Sequence, residues 1–318
     1  VEEVLNETLS DQVFDIAVLG SGPIGATSAY LLTHQTNRRI ALIAQEPQQD
    51  YRATYLFSGG SIRLYWDDPR KAQPVAETAA FIRQLHQDGV ELDLLENGYV
   101  FVHRGHWAPS LNISGAKLIR HLLERAVERG LTRVSGAEIE QLTPGGSGYR
   151  ILTSVGEVQA RAVVLALGTE NQRFLPELEL EVEKRQLFVL DLPVDEHRAR
   201  FPHLIVPLGK GTAFVFIKRF GSELRVVVGQ EDVVAHQATA GPEEYFDDLL
   251  QLGLGAQLPF LREARVERVL WGFDVKQKLP RIAHPAPGLV AVNCGSALRS
   301  CVYTGREVVS TLVAAGYA

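Results

Sequence analysis

Phe14-Asp15-Ile16-Ala17-Val18-Leu19, running straight into Gly20-Ser21-Gly22-Pro23-Ile24-Gly25, decides how this chain folds. The first six residues are apolar almost throughout, the composition of a strand covered on both faces in a parallel sheet. Residues 26–32 follow as a small-residue helix and residues 39–44 as a second apolar strand. Strand, glycine turn, helix and strand make one βαβ unit. A G-x-G-x-x-G string says little alone, but this one leaves a strand and opens a helix, the context that gives it meaning. Gly20 makes the tight turn, Gly22 lets the backbone approach a pyrophosphate, and Gly25 allows close packing of helix on strand. Gly20, Gly22, Pro23, Ile24 and Gly25 therefore form the expected dinucleotide turn, its phosphates lying over the unpaired N–H groups of the helix start. The acid that usually binds a ribose hydroxyl should fall near position 44. Ala44 and Gln45 stand there with Glu46 next, so Gln45, as a neutral hydrogen-bonding group, and Glu46 are the ribose candidates.

The rest of the composition narrows the class. At about 150 residues per domain, 318 residues make roughly two domains. An apolar fraction of 46% with 22% charged residues is that of a folded globular chain. A net charge of −6 speaks against a general nucleic-acid binder, which needs an excess of Lys and Arg for phosphate. Two cysteines cannot staple so long a chain, so the fold rests on its core. No methionine occurs, which is unusual at this length. The opening residues are acidic and lack the basic-then-apolar pattern of a signal peptide, and no apolar run approaches the ~20 residues of a membrane span. A cytoplasmic protein is the expectation.

Periodicity predicts helices over residues 73–87 and 116–130, the second stopped by Gly130, then over 242–254 and 305–315. Residues 149–153, 158–162 and 163–167 read as successive strands with Gly156 in a hairpin turn, and 288–292 as a late apolar strand. Residues 186–191, 212–217 and 224–229 alternate more clearly, predicting an antiparallel sheet with one exposed face. With no repeat and no linker, any second domain is interleaved with the first.

Three further segments bear on the cofactor: Ser58-Gly59-Gly60-Ser61-Ile62-Arg63, residues 163–169 (VVLALGT) and residues 288–305 (GLVAVNCGSALRSCVYTG). In this order, over residues 15–315, they resemble the D-amino-acid oxidase superfamily of FAD-dependent oxidoreductases, which includes glycine oxidase and sarcosine oxidase. The resemblance implies an α/β protein with a doubly wound, Rossmann-like FAD-binding domain and an interleaved α+β substrate domain on an antiparallel sheet. We expect residues 1–72, 111–180 and 285–318 in the first and 73–110 and 181–284 in the second. It further implies oxidation of the C–N bond of an amino acid or secondary amine by hydride transfer to flavin, with oxygen or a quinone as electron acceptor. Nothing fixes an oligomeric state.

Carried over residue by residue, Ser58, Gly59 and Gly60 match the stretch that passes the flavin ring. Ile139 takes the place of the residue whose backbone touches adenine, and Gly168 follows the strand flanking the cofactor. Gly295, Ser296, Ala297, Leu298 and Arg299 match a family pattern usually written G-H-G-F-K, with Gly305 closing it. Arg299 thus stands where a cation near the flavin meets the substrate carboxylate. No cysteine lies where some members attach FAD, so non-covalent FAD is implied. The sharpest departure is Trp271-Gly272-Phe273-Asp274, where members commonly carry an Arg at the fourth position as a carboxylate clamp. An Asp there would repel a carboxylate and attract an amine. Either Arg299 or Arg63 takes over the clamp, or the substrate is not a simple α-amino acid. The stretch over residues 272–280 is also about two residues shorter than the family pattern.

Arg299, Arg63 and Tyr303 are accordingly the candidate catalytic residues. A tyrosine such as Tyr303 or Tyr245 is more often an amphipathic core residue than a substrate ligand. His103 and His106 flank a turn without a third ligand, so no metal is expected. Cys294 and Cys301 lack C-x-x-C spacing and read as buried thiols. Two alternatives stay open: a same-fold flavoenzyme oxidising a 2-hydroxy acid or polyol phosphate, and a flavin-binding partner subunit without turnover.

Overall fold

The computed structural model describes residues 13–45, 60–103, 105–195, 198, 201–209, 211–220, 222–231, 242–276 and 279–318. Its chain divides into two compact units, one of Val1–Tyr51, Ala116–Glu181 and Val275–Ala318, the other of Arg52–Gly115 and Val182–Asp274.

The first unit is built on an eight-stranded sheet whose spine is five parallel strands in the order Leu289–Asn293, Gly156–Leu165, Val13–Leu19, Ile40–Ala44, Thr132–Ser135. Val13–Leu19 lies at its centre, with Ile16 opposite Ile40 on one side and Ala162 on the other. Its run of apolar residues follows from that place, since Ile16, Ala17, Val18 and Leu19 are each 0% exposed. Burying a side chain such as Ile or Leu contributes roughly 1.5–3 kcal/mol. Arg281–Ala286 adds antiparallel at one edge, and Ile139–Gly145 and Gly148–Thr153 form an antiparallel extension on Gly156–Leu165. Residues 158–167 read as two strands but form one, Gly156–Leu165: its first half pairs antiparallel with Gly148–Thr153 while its second half joins the parallel spine. Helix Pro23–Gln35 crosses from the first strand to the second, and helix Cys301–Ala314 packs on it where Gly305 leaves room. A Cβ on Gly305 would come within 3.0 Å of Thr27 Cγ2.

The second unit carries a seven-stranded sheet in the order Val266–Val275, Val182–Pro193, Glu223–Glu231, Thr212–Phe220, His203–Pro207, Tyr99–Phe101, His106–Ala108. The described pairings are antiparallel, save that His203–Pro207 runs parallel to Tyr99–Phe101. One face holds Phe188, Leu190, Val206, Ala213, Val215 and Val228 against Phe246 and Leu249 of helix Pro242–Leu249. The expected exposed face does not exist, because the opposite face carries Val189, Phe216 and Val227, all buried. The apparent alternation came from polar residues near the strand ends, such as Gln186, Asp191, Thr212 and Arg225. A small sheet pairs Ser61–Arg63 and Leu95–Glu96 with Ser110–Asn112. Helix Pro69–Gln87 starts four residues before its periodicity predicts, because Asp68 caps it by accepting from the Arg70 N–H and Pro69 occupies the first position.

The unit borders differ from the expected domain borders, by a single residue at position 181 and by more at the other three. Among the described residues, 60–72 and 111–115 belong with the second unit, since Ser110–Asn112 pairs both with Ser61–Arg63 and with Leu95–Glu96 of that unit. Residues 275–284 belong with the first, where Val275 enters the core and the Lys276 N–H donates to the Glu181 carbonyl at 2.9 Å.

Candidate functional site

The glycine turn sits where the first strand ends, and each glycine has a separate physical requirement. Gly20 has φ +102, and a Cβ on it would lie 2.6 Å from the Ala166 carbonyl oxygen. A Cβ on Gly25 would lie 1.9 Å from the carbonyl oxygen of Gly20. Gly22, the residue before the helix, differs: a Cβ there would meet nothing within 4 Å. Among the described residues nothing lies within 4 Å of the open side of Gly22, and the helix it opens has neither a side-chain cap nor an acidic residue in its first turn. A positive helix end with no acidic residue in its own first turn, beside a residue with no side chain, fits a pyrophosphate. Pro23 and Ile24 are buried in the first turn.

Two more turns lie at ends of neighbouring parallel strands. Gly168, with φ +64, opens a short helical turn after Gly156–Leu165. That turn is pinned by Asn171, which periodicity and motif reading missed. Fully buried, it accepts from the Leu167 N–H at 2.9 Å and donates to the Val292 carbonyl at 2.8 Å, tying the turn to the next strand. After Leu289–Asn293 the chain passes Gly295 to Ser296, a non-glycine residue in the left-handed region with φ 56. Ala297–Arg299 then form a single 3₁₀ turn in which Leu298 is buried and Arg299 half-buried. Holding a serine in that conformation costs of order 1–3 kcal/mol, a strain typical of functional turns. Tyr303 follows half-buried in the first turn of helix Cys301–Ala314, which has no acidic residue at its start. Gln45 lies at the end of the second strand, half-buried, and the side chain of Ile139 packs in the first unit's core. Glu46, Ser58 and Gly59 lie outside the described residues.

Gly60 and Arg63 belong to the second unit. Gly60 has φ +68, and a Cβ on it would lie 1.9 Å from the Ile113 carbonyl oxygen, so the turn itself demands glycine there. Arg63 ends the short strand Ser61–Arg63, and its guanidinium carbon lies 3.6 Å from the centroid of the Trp66 ring and 5.8 Å from that of Tyr99. The Trp66 indole N–H donates back to the Arg63 carbonyl at 2.9 Å. The Arg63 Nε is buried, and a planar guanidinium seated on an aromatic face is a fork held ready to pair with a carboxylate. Trp66 and Tyr99 were not singled out from the sequence; the signal available was an aromatic three residues after an arginine. Asp274 is buried on strand Val266–Val275. Tyr245 is a core residue: its ring packs on Phe188, its hydroxyl donates to Gln230, and burial pushes its phenol up to about 12.

Among the described residues no group of His, Cys, Asp and Glu is placed to hold a metal ion. Cys294 and Cys301 are buried thiols not joined in a disulfide, and burial pushes Cys301 up to about 11. No helix among the described residues is long and apolar enough to cross a membrane.

A parallel sheet with a glycine turn at the end of its central strand is the architecture of a dinucleotide-binding unit. The family model for FAD dependent oxidoreductases of the DAO type matches residues 15–113 and 102–311. The chain belongs to that family, and FAD is its cofactor. Similar folds occur in iminodiacetate oxidase from Chelativorans sp. BNC1 (TM-score 0.72, 18% identity, 94% of this chain and 95% of that one). Glycine oxidase from Geobacillus kaustophilus gives a TM-score of 0.69 at 16% identity, over 93% and 94% of the two chains. L-proline dehydrogenase from P. horikoshii gives 0.76 at 14% identity, over 95% and 93%. The FAD-dependent oxidoreductase domain-containing protein 1 of Xenopus laevis is 30% identical over 98 residues. That stretch is 28% of this chain and 20% of the relative.

Proposed function

We propose that this flavoprotein oxidises the C–N bond of a small amino acid or secondary amine. The observation that carries the reading is Arg63 laid on the Trp66 ring, a preorganised carboxylate anchor in a chain that has Asp274 in place of the family's clamp. Bound non-covalently, FAD supplies a two-electron acceptor that passes its electrons on to oxygen or a quinone. The chain's own task is to hold and orient. Gly20, Gly22 and Gly25 with the helix start bind the pyrophosphate, Gly168 and residues 295–298 line the cofactor, and Gln45 meets a ribose hydroxyl. Arg63 fixes the substrate carboxylate, and Arg299 stands as a fixed cation that favours negative charge on the reduced cofactor. Tyr303 offers a hydroxyl to the substrate. Oxidation of iminodiacetate and glycine, named for two proteins of similar fold, agrees with a small amine that carries a carboxylate. A cytoplasmic location is part of the same reading.

The test is an anaerobic absorbance spectrum of the holoprotein against D- and L-amino acids, N-methyl amino acids and 2-hydroxy acids. Bleaching by an amine, with release of ammonium or a primary amine, is expected. Bleaching by hydroxy acids alone overturns it, and bleaching by none favours a non-catalytic flavoprotein.

A further inference from the structure

His203 is 4% exposed and lies deep in the second unit, engaged at both ring nitrogens. Nδ1 is 3.0 Å from Ser61 Oγ, and Nε2 is 3.1 Å from Asn112 Nδ2. The same amide nitrogen of Asn112 donates to the Ile217 carbonyl at 3.3 Å, which fixes the orientation of that amide. An amide nitrogen offers only protons, so the ring nitrogen facing it must present a lone pair. Nε2 is therefore the acceptor, the imidazole is neutral, and its proton sits on Nδ1 and is donated to Ser61. The alternative tautomer would set two N–H groups against each other in a buried place. Around this network the strands are locked together. Ser61 and Asn112 are register partners, His203 is opposite Tyr99, and the His203 N–H donates to the Gly98 carbonyl at 3.0 Å. The His203 ring packs against Phe216 with centroids 5.2 Å apart.

Ser61 and Arg63 lie two apart on one short strand and so share a face, with the fully buried Ile62 turned to the other. We propose that His203 is a positioning residue: set by Asn112 as the neutral Nδ1–H tautomer, it grips Ser61 and thereby fixes the strand from which Arg63 reaches the substrate carboxylate. This rests on the reading of Arg63 as the anchor. His203 touches no substrate atom and exchanges no proton in the reaction. Its work is to hold a three-residue strand that is too short to hold itself.

The experiment has two arms, both on the holoprotein. In the first, ¹⁵N–¹H spectra of the histidine rings at pH 7.5, assigned by loss of one signal in His203→Asn, are expected to show His203 with a protonated Nδ1 and a bare Nε2. Asn112→Asp, which puts an acceptor against Nε2, is expected to add a proton there. A bare Nδ1 in the wild-type protein overturns the proposal. In the second arm, acetate serves as the carboxylate probe, read by perturbation of the flavin spectrum. His203→Leu is expected to weaken acetate binding about tenfold at unchanged FAD content, the loss of roughly one buried hydrogen bond. His203→Asn, which keeps a donor near the Nδ1 position, is expected to restore most of it. Unchanged acetate affinity in His203→Leu, alongside loss in Arg63→Ala, overturns the positioning role and leaves the anchor standing. Acetate affinity indifferent to Arg63→Ala overturns the anchor and the positioning role together. Should His203→Leu not fold, the spectra and the acetate affinity of Asn112→Asp decide.

Discussion

Gly25 and Gly20 touch: their helix and turn are so close that a methyl group on Gly25 would overlap the Gly20 carbonyl oxygen. Gly22, between them in the chain, faces open space and has an extended backbone, φ −65 and ψ −179, that alanine adopts freely. The two positions therefore answer differently to the same substitution. Gly25→Ala is expected to destabilise the first unit and lower soluble yield. Gly22→Ala is expected to leave the melting temperature of the apoprotein nearly unchanged while FAD is lost or weakly held. A Gly22→Ala protein that purifies with full FAD would remove the pyrophosphate from this turn.

Asn171 is the second prediction. Its side chain satisfies a backbone N–H and a backbone carbonyl of two neighbouring segments at once. Asn171→Ala takes the acceptor from the Leu167 N–H and a donor from the Val292 carbonyl, a loss of about 1–3 kcal/mol. Asn171→Asp is expected to be worse, since an acceptor would then face the Val292 carbonyl. Urea unfolding curves with matched slopes measure both, and equal midpoints for wild type and Asn171→Ala would refute the assignment.

Arg63 is the third. Arg63→Ala is expected to raise KM for a carboxylate substrate by roughly 10- to 100-fold, the worth of a hydrogen bond to a charged group, with a smaller change in kcat. Arg63→Lys keeps the charge but not the planar fork or its seat on Trp66, and is expected to recover only part of the loss. Steady-state kinetics on whichever amine bleaches the flavin gives the split, and KM values within twofold of wild type count against the anchor.

Lys218 gives a pH dependence whose sign is fixed. Burial pushes its ammonium down to about 8 from 10.5. Between those two values the unfolded chain holds a proton that the folded chain has lost, so this group makes stability rise with pH across that window. Below pH 8 both states are protonated and the full desolvation penalty stands. Cys301, pushed up to about 11, acts in the opposite sense above pH 9, so the comparison is made at each pH against Lys218→Met. That variant is expected to be more stable at pH 7, on the order of 2 kcal/mol, with the advantage shrinking toward pH 10.5. Its strand partner Arg225 is unchanged by the substitution. A constant difference from pH 7 to 10.5 would exclude the buried ammonium as its source.

The first unit was legible in the sequence because its determinants are local and redundant. An apolar run, three glycines at fixed spacing and a helix start sit within twelve residues, and each constrains the backbone directly. The second unit was less so. Its sheet faces were misjudged because polar residues near strand ends, such as Thr212 and Arg225, mimic the alternation of a solvated face. Gly60 is a glycine for a reason invisible in its neighbours, the approach of Ile113 fifty residues away in the chain. Asn171 and His203 escaped notice on similar grounds: a buried polar side chain is recognised by its partners, and theirs come from distant segments. The borders shifted because strand pairing, not motif position, decides which unit a segment joins.

The first unit is assembled from three separate stretches, the last being residues 275–318. Its final parallel strand pairs with Gly156–Leu165, and its final helix packs on the helix of the glycine turn. Such pairings are remote in sequence, which makes folding slow and leaves strand edges open in the meantime. During synthesis, therefore, the dinucleotide turn emerges well before strand Leu289–Asn293 and helix Cys301–Ala314, which complete its sheet and its helix packing. Capture of cofactor belongs at the end of that process, and a supply of flavin during late folding would act as a trap for the native state, raising the yield of folded protein without altering its sequence.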